Sequence, residues 1–335
     1  MLSVPTLSSA KDLGERKIIK LIIDCLDQMP NMLLPFGDDA SAIDMGHDKL
    51  AVMNMDMLVR KTDVPRTMSL WQAARKAVIM NISDLAAKGA KPLALLASIG
   101  LPPNLTETDI QQIGKGLNAG AREYGAYILG GDTNEASELI ISCTALGVCN
   151  KHHLIKRSGA KPGDYVTVTG SFGKTASGLK ILMNGISAPD IQGVLIDSVL
   201  MPNARVKEGI ALAQSQAATA SIDSSDGLAW SIHELSRASN VGFCIDNLLI
   251  APEVEMFAGI HGFDSVELAL YGGEEYELLV TIKSSLWQEA KKAVESVGGI
   301  LTKIGVVTKK KQCLLKTGEK TVSIEARGWE HFKTE

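Results

Sequence analysis

The sequence is poor in cysteine and has no long apolar run. Its five cysteines are scattered along 335 residues, odd in number and without a C-x-x-C pair, which argues against a disulfide framework or a thiolate zinc site. No window approaches the ~18 apolar residues of a membrane span. The first 20 residues also lack the apolar core of a secretory signal. We therefore predict a cytoplasmic protein with no membrane partner.

Basic charge is not in excess either. The chain has 34 lysines and arginines against 38 aspartates and glutamates, a net charge of −4. Because a nucleic-acid-binding protein needs a basic face, we predict no nucleic-acid partner. Two catalytic signatures are also missing. The six histidines form no H-E-x-x-H pattern, and Gly173-Lys174-Thr175 is not a P-loop because Val168 stands where that motif needs glycine.

Length and hydrophobic patterning predict two α+β domains, placed at 1–150 and 151–335. The chain is longer than a usual single hydrophobic core, and a polar break at 150–164 separates its halves. Apolar residues at helical spacing predict helices at 15–29, 70–88, 106–124, 204–216, 228–239 and 284–297. Apolar runs predict strands at 49–57, 93–99, 127–129, 139–149, 165–169, 241–246, 277–282 and 301–307.

What the chain does contain is a series of short acidic motifs. Like charges held close together take up protons or bind cations. Oxygen-only ligands favour hard cations, above all Mg²⁺, which most often serves bound phosphates. The series therefore predicts a magnesium and phosphate site. Its members are Gly37-Asp38-Asp39-Ala40, Asn54-Met55-Asp56, Asn81-Ile82-Ser83-Asp84, Gly130-Gly131-Asp132-Thr133 and Asp223-Ser224-Ser225-Asp226.

Each motif alone also has a simpler interpretation. Asp84 lies in a stretch apolar enough to be buried, where a charge needs a partner or a metal, but it could instead cap a local turn. Gly131-Asp132 at the end of a strand is an ordinary turn signal. Asp223 or Asp226 could be the N-cap of the helix that follows.

Two further segments have unusual charge. Arg157, next to a turn, could bind a phosphate with two parallel hydrogen bonds, although most surface arginines do not. The segment Gly272-Gly273-Glu274-Glu275-Tyr276-Glu277 sets three glutamates beside an apolar strand, which is typical of a polar ligand site or of a hairpin with a solvated acidic face. The glycine-containing turn at 170–173 could also hold phosphate through its backbone amides.

Taken together and in order, these motifs resemble the thiamine-monophosphate kinase family. The resemblance covers about residues 35–332 and includes Arg157-Ser158-Gly159-Ala160-Lys161-Pro162-Gly163-Asp164. Segments 81–87 and 272–279 together are specific to the kinase branch of a superfamily that also contains aminoimidazole ribonucleotide synthetase. The form Thr62-Asp63-Val64-Pro65 is similar to an archaeal variant.

The resemblance implies both a fold and a reaction. The fold is a two-domain, ATP-binding α+β architecture in which N-terminal strands form a barrel in a homodimer and helices cover the C-terminal sheet. The reaction is phosphorylation of thiamine monophosphate to thiamine diphosphate, with ATP as co-substrate and several Mg²⁺ ions. Transfer would be direct and in line, without a phospho-enzyme.

The resemblance also assigns roles by position. The implied metal ligands are Asp39, Asn54, Asp56, Asp84, Asp132, Asp223 and Asp226, and the implied catalytic residues among them are Asp39, Asp84, Asp132 and Asp226. The implied nucleotide contacts are Gly131, Asp132, Arg157 and Ser225. The implied contacts to the thiamine phosphate are Asp63, Glu274 and Trp329.

Three departures from the family pattern keep two alternatives open. Met55 replaces a hydroxyl residue, Asp63 replaces a histidine and Glu275 replaces an aspartate. One alternative is an enzyme similar to aminoimidazole ribonucleotide synthetase that acts on another small phosphorylated substrate. The other is a nucleotide-binding module without catalysis.

Overall fold

The structure is a computed structural model and describes residues 9–332. Its α-helices are α1 (Ala10–Leu13), α2 (Glu15–Ile23), α3 (Arg60–Asp63), α4 (Leu70–Ala87), α5 (Glu107–Glu123), α6 (Lys174–Asn184), α7 (Gln192–Leu200), α8 (Val206–Ser215), α9 (Leu228–Ser239), α10 (Pro252–His261), α11 (Ser265–Tyr271) and α12 (Trp287–Ser296). Its strands are β1 (Ser41–Asp44), β2 (Lys49–Val59), β3 (Lys91–Leu101), β4 (Tyr127–Glu135), β5 (Ile140–Asn150), β6 (Tyr165–Val168), β7 (Ala218–Asp223), β8 (Gly242–Ile245), β9 (Leu278–Ile282), β10 (Thr302–Thr308), β11 (Cys313–Thr317) and β12 (Lys320–Ser323).

Strands β1 to β5 form one sheet, in the order β1-β2-β5-β3-β4. β2 and β5 pair antiparallel, whereas β3 and β4 pair parallel. Side chains alternate along β2, so that Leu50, Val52 and Asn54 are buried on the side of α4 while Met55 and Met57 are exposed on the other side. This sheet therefore has one covered face and one open face.

Strands β6 to β12 form the second sheet, in the order β12-β11-β8-β10-β6-β9-β7. Helices cover both of its faces, and every residue of β9 is buried. Leu278, Val280 and Ile282 share a hydrophobic cluster with α8 and α12. Leu279, which points the opposite way, shares a cluster with α9. The observed covering of this sheet agrees with the predicted fold.

Helix α4 belongs to the cores of both sheets. It begins at a capping box formed by Ser69 and Gln72 and is buried along most of its length. It contacts β2 and β5 of the first sheet and β7 and α8 of the second. A Cβ on Gly209 in α8 would lie only 2.1 Å from the carbonyl oxygen of Ala86, so glycine permits the two helices to touch. One hydrophobic core thus joins the two sheets.

The sequence predicts most of the longer elements, but it does not predict helices α1 and α3 or strands β1, β7, β11 and β12. Three further differences concern the helix at 15–29, the turn at Gly131 and four other helices. The helix predicted at 15–29 ends at Ile23. The predicted turn at Gly131 lies instead inside β4, where a Cβ would sit 1.7 Å from the carbonyl oxygen of Ala97 on the neighbouring strand. Crowding between strands, rather than a turn, therefore requires this glycine. Helical spacing also does not predict α6, α7, α10 and α11, which have at most 11 residues each.

The architecture is of the α+β class, as predicted. Within residues 9–332, none of the helices combines the length and the apolar character needed to cross a membrane. The domain boundary near residue 150 and the cytoplasmic location stay predictions.

Candidate active site

Three carboxylates from distant parts of the chain meet between the two sheets. Asp39 lies in the loop before β1, Asp84 lies in α4, and Asp223 is the last residue of β7. One carboxylate oxygen of each lies within 4.8 Å of the other two. We call these three residues, together with Asp56, the acid cluster. Its members approach one another because α4 is packed against both sheets.

Strand β2 directs Asn54 and Asp56 toward the same place, because residues two apart point to the same face of a strand. The Nδ2 of Asn54 donates to Asp84 Oδ2 at 2.7 Å and to Asn81 Oδ1 at 3.3 Å. The main-chain N–H of Asp56 also donates to Asn81 Oδ1, at 3.0 Å. Sequence reasoning assigns no role to Asn81, although a polar side chain one helical turn before Asp84 in an apolar stretch is a usable signal.

Burial and mutual repulsion raise the pKa values of most members of the acid cluster. Burial, together with the charge of Asp39, raises the pKa of Asp223 to about 7. Burial raises the pKa of Asp56 to about 6. Burial and the charges of Asp56 and Asp223 hold the pKa of Asp84 well above its usual range. A carboxyl group with a raised pKa holds its proton to a higher pH, and a bound cation can take the place of that proton.

Asp39 differs because two cationic side chains hold it. Lys88 Nζ lies 2.7 Å from its Oδ2, and Arg157 Nε donates to its Oδ1 at 2.7 Å. Burial alone would raise the pKa of Asp39, but the charges of Arg157 and Lys88 outweigh burial and lower it. Lys88 also binds Asp38 at 2.6 Å and is fully buried. Sequence reasoning assigns no role to Lys88, although a lysine at the end of an apolar helix is a usable signal.

Buried oxygen atoms around the acid cluster fit a divalent cation. Among residues 9–332, the buried atoms without a hydrogen-bond partner include Asn54 Oδ1, Asp223 Oδ1 and Ser224 Oγ. A buried polar atom left unpaired destabilises the fold unless a ligand satisfies it. The atoms that could coordinate such an ion are all oxygens, the ligands that Mg²⁺ prefers. Asp56, Asp84, Asp223 and Asn54 would hold such an ion.

The loop between β7 and α9 carries Ser225 and Asp226 beside this site. Asp226 is exposed, and its carbonyl oxygen accepts a hydrogen bond from the main-chain N–H of Trp329 at 3.1 Å. The side chain of Trp329 is half-exposed. Arg16 of α2 donates to Glu234 Oε1 at 2.8 Å and lies 3.9 Å from Asp226 Oδ2. Sequence reasoning does not find Arg16, because nothing in its local pattern reveals these distant partners.

Lys76 brings Asp63 and Glu274 together. Its Nζ lies 2.5 Å from Glu274 Oε1 and donates to the carbonyl oxygen of Asp63 at 2.8 Å. The Asp63 carboxylate accepts a hydrogen bond from the N–H of Val59 at 2.7 Å, so one of its oxygens is already used in a hydrogen bond within the protein. Lys76 is a further residue that sequence reasoning misses.

The glycine-containing turn before α6 already binds a carboxylate of the protein. Glu275 Oε1 accepts hydrogen bonds from the N–H groups of Gly173 at 2.7 Å and Thr175 at 3.2 Å. Burial raises the pKa of Glu275 to about 7. The amides that the sequence suggests for phosphate are therefore used within the fold.

Gly131 and Asp132 are not brought into the acid cluster of their own chain. Asp132 pairs with Ser98, whose cross-strand partner is Ser142, and these three residues line a cleft of about 250 Å³ on the open face of the first sheet. Asp56 points to the covered face of that sheet. Because neighbouring residues of a strand alternate between faces, Asp132 and Asp56 lie on opposite sides of the sheet.

Comparisons with known proteins agree with this architecture. Residues 37–149 match the family described as AIR synthase related protein, N-terminal domain, and residues 161–316 match its C-terminal domain. The thiamine-monophosphate kinase of Pyrococcus horikoshii is 38% identical over 322 residues, which cover 95% of this chain and 96% of that protein. The chain belongs to the thiamine-monophosphate kinase family. The enzyme of that name from Pyrococcus abyssi is 39% identical over 299 residues, 88% of this chain and 90% of that protein.

A solved structure extends the comparison to the whole fold. The structure of AaThiL complexed with AMPPCP and TMP matches with a TM-score of 0.84 and 27% sequence identity, over 97% of this chain and 99% of that one. The predicted family is therefore confirmed, and with it the prediction that the chain is an enzyme of the phosphotransferase class. The alternative of a module without catalysis is not supported.

Proposed function

We propose that this enzyme transfers the γ-phosphoryl group of ATP to thiamine monophosphate, giving thiamine diphosphate and ADP. The observation that supports this most is the meeting of Asp39, Asp84 and Asp223 in one cluster. The Pyrococcus relatives carry the name of this kinase, and AaThiL binds AMPPCP and TMP. A donor and an acceptor that are both anionic repel each other, and a cation-binding site between them removes that repulsion.

The acid cluster would hold several Mg²⁺ ions in this reaction. The proposed ligands are Asp56, Asp84 and Asp223 with Asn54, joined by the exposed Asp226. When bound, the ions neutralise the charge of the two phosphate groups. The chain itself fixes the ligand oxygens on α4 and β2, which are buried elements, so that little reorganisation is needed when substrates arrive.

We propose direct, in-line transfer without a phospho-enzyme. Phosphoryl transfer depends mainly on positioning and on stabilisation of charge, so no side chain has to accept the phosphoryl group. Arg157 has a side chain that is 21% exposed beside the acid cluster and would contact the nucleotide together with Ser225. Glu274 and the half-exposed Trp329 would contact the thiamine part, since an aromatic ring can stack on a flat heterocycle.

We also propose a homodimer formed through the open face of the first sheet, which would close the N-terminal strands into a barrel. This face carries Met55, Met57, Leu96 and Leu129, which are between 53% and 71% exposed. A contiguous apolar surface of this kind marks an interface. Asp132, a proposed metal ligand, lies on the same face, so a dimer would place it and the adjacent Gly131 at the interface between the two protomers. We keep 1–150 and 151–335 as the proposed domains.

The reaction is tested by incubating the protein with ATP, MgCl₂ and thiamine monophosphate. We expect thiamine diphosphate and ADP in equal amounts by chromatography, and no product with excess EDTA. Absence of thiamine diphosphate with Mg²⁺ or Mn²⁺ contradicts the proposal. ATP consumption only with an aminoimidazole ribonucleotide precursor would instead favour the synthetase-like alternative.

The dimer is tested by light scattering on a variant with Met55→Glu and Leu129→Glu. We expect a dimeric wild type and a monomeric variant with little remaining activity. Ile260→Glu is the control, because this residue is 66% exposed in α10, away from the first sheet. A monomeric wild type at micromolar concentration would contradict the dimer.

A further inference from the structure

Lys76 is a buried ammonium group with no role in the mechanism above. It lies in the second turn of α4, and only 1% of its side chain is exposed. Burying an ammonium group is costly unless an ion pair and hydrogen bonds compensate for lost water. Here Glu274 Oε1 at 2.5 Å and the carbonyl oxygen of Asp63 at 2.8 Å provide that compensation. The lysine is therefore a fixed connection between α4, the end of α3 and the loop before β9.

The same face of α4 also reaches the acid cluster. Ser83 follows Lys76 by seven residues, or two helical turns, so both side chains lie on one side of the helix, about 10 Å apart along its axis. The hydroxyl of Ser83 donates to Asp223 Oδ2 at 2.7 Å. One rigid helix face therefore sets the distance between Asp223, in the acid cluster, and Glu274.

Glu274 has a backbone conformation that needs support. Its φ is +63°, in the left-handed region that non-glycine residues rarely adopt. Its main-chain N–H donates to the carbonyl oxygen of Ser225 at 2.6 Å. Its side chain is held by Lys76 and remains 25% exposed. Strain of this kind persists when the surroundings fix the residue, and it is concentrated at ligand sites.

We propose that Lys76, itself fixed by the main-chain carbonyl of Asp63, is a positioning residue that holds the Glu274 carboxylate in place for the acceptor. This inference rests on the proposed function. Lys76 is too buried to touch the acceptor, so it acts through Glu274, whose carboxylate complements the positively charged thiazolium ring of thiamine. This contact binds the end of the substrate that does not react, equally before and during transfer, so its loss appears in KM rather than in kcat.

The test compares Lys76→Met with Arg75→Met. Arg75 is the adjacent residue of α4, is also buried and also forms an ion pair, with Glu123 of α5, but it points away from the site. Both variants lose a buried cation. We expect Lys76→Met to raise KM for thiamine monophosphate about tenfold or more, with KM for ATP unchanged and kcat within about threefold. Arg75→Met should leave both KM values unchanged.

A binding measurement separates positioning from turnover. Calorimetry with thiamine monophosphate, in the presence of AMPPCP, should show the same tenfold or larger loss of affinity for Lys76→Met and none for Arg75→Met. Equal acceptor affinity in the two variants overturns the proposal. Failure of the wild-type protein to form thiamine diphosphate is a separate outcome. It refutes the proposed function itself.

A second pair of variants keeps the test decisive if Lys76→Met does not fold. Neither Glu274→Gln nor the double variant with Lys76→Met has an unpaired Glu274 carboxylate, and the double variant also lacks the buried ammonium group. If Lys76 acts through Glu274, the double variant has the acceptor affinity of Glu274→Gln alone. A further tenfold loss in the double variant would show an independent role for Lys76 and overturn the proposal.

Discussion

The two ends of the acid cluster differ in how their charge is balanced. At one end, Asp39 lies between Lys88 and Arg157, and its pKa is lowered despite burial. At the other end, Asp223 has only the hydroxyl of Ser83 as a hydrogen-bond donor to Oδ2 and no partner for Oδ1 among the described residues, and burial raises its pKa to about 7. The carboxylate charge of Asp39 is thus balanced by cationic side chains of the protein, whereas that of Asp223 is not.

This difference suggests a division of roles. Lys88 is in the turn after α4 and Arg157 lies in the polar break at 150–164, so their ion pairs to Asp39 hold three segments together. The uncompensated end is where we propose that an exchangeable cation binds. A protein cation paired with Asp223 would compete with Mg²⁺, and among the described residues Asp223 Oδ1 has no hydrogen-bond partner.

The largest expected effect is on stability, at the compensated end. Lys88→Met leaves Asp38 and Asp39 buried without their shared cation, and we expect a loss of about 3–5 kcal/mol in the free energy of unfolding. Urea denaturation measures it. Lys151→Met is the control, because its ion pair with Asp44 is exposed and its removal should change nothing measurable. Equal effects of the two variants would mean that Asp39 does not depend on Lys88.

The next effect is on activity, at the uncompensated end. Asp223→Asn keeps the shape of the side chain but removes a charge from the proposed metal site, and we expect kcat to fall about 100- to 1000-fold. The metal-free protein should be at least as stable as wild type, since repulsion with Asp39 and Asp84 is relieved. Asp246→Asn, at an exposed aspartate after β8, is the control. A stable variant with full turnover would contradict the metal assignment.

A smaller effect concerns the pH dependence of stability. It depends on Glu275, a buried carboxyl group that accepts hydrogen bonds from two main-chain N–H groups. Burial raises its pKa to about 7 from a usual value of 4.5, so its contribution to stability is present below about pH 4.5 and lost as pH rises toward 7. Glu275→Gln cannot ionise and should gain ~1–3 kcal/mol relative to wild type between about pH 5 and pH 7.5.

Denaturation curves at several pH values measure this difference. For Asp39 we predict the opposite pH dependence of stability. Its lowered pKa contributes stability that is lost only as the pH falls below 3.8, the usual pKa of an aspartate. A difference between Glu275→Gln and wild type that shrinks as pH rises would show that the two N–H donors outweigh burial.

The sequence predicts the regular core better than the short helices outside it. Helix α4 is predicted at 70–88 and found at Leu70–Ala87, because its apolar residues, capping box and terminal Gly89 agree. The turn predicted at Gly131 is wrong, since a glycine required by strand packing has the same appearance in sequence as a glycine required by a turn.

The site shows the same limit. Local acidic motifs identify Asp39, Asp84 and Asp223, whose oxygens the fold brings within 4.8 Å. Their compensation cannot be read from sequence, because Lys88 and Arg157 are distant along the chain from Asp39 and the local pattern around each does not reveal this partner. For the same reason, only the three-dimensional packing of α4 identifies Lys76 as the partner of Glu274.

The most direct test is the position of a bound metal ion. Crystals grown with Mn²⁺ and AMPPCP give anomalous scattering that locates the ion without reference to activity. We predict a peak bounded by oxygens of Asp84, Asp223 and the Asn54–Asp56 segment, on the side of the cluster away from Lys88. A fully occupied peak elsewhere, with none at these oxygens, would contradict the central claim.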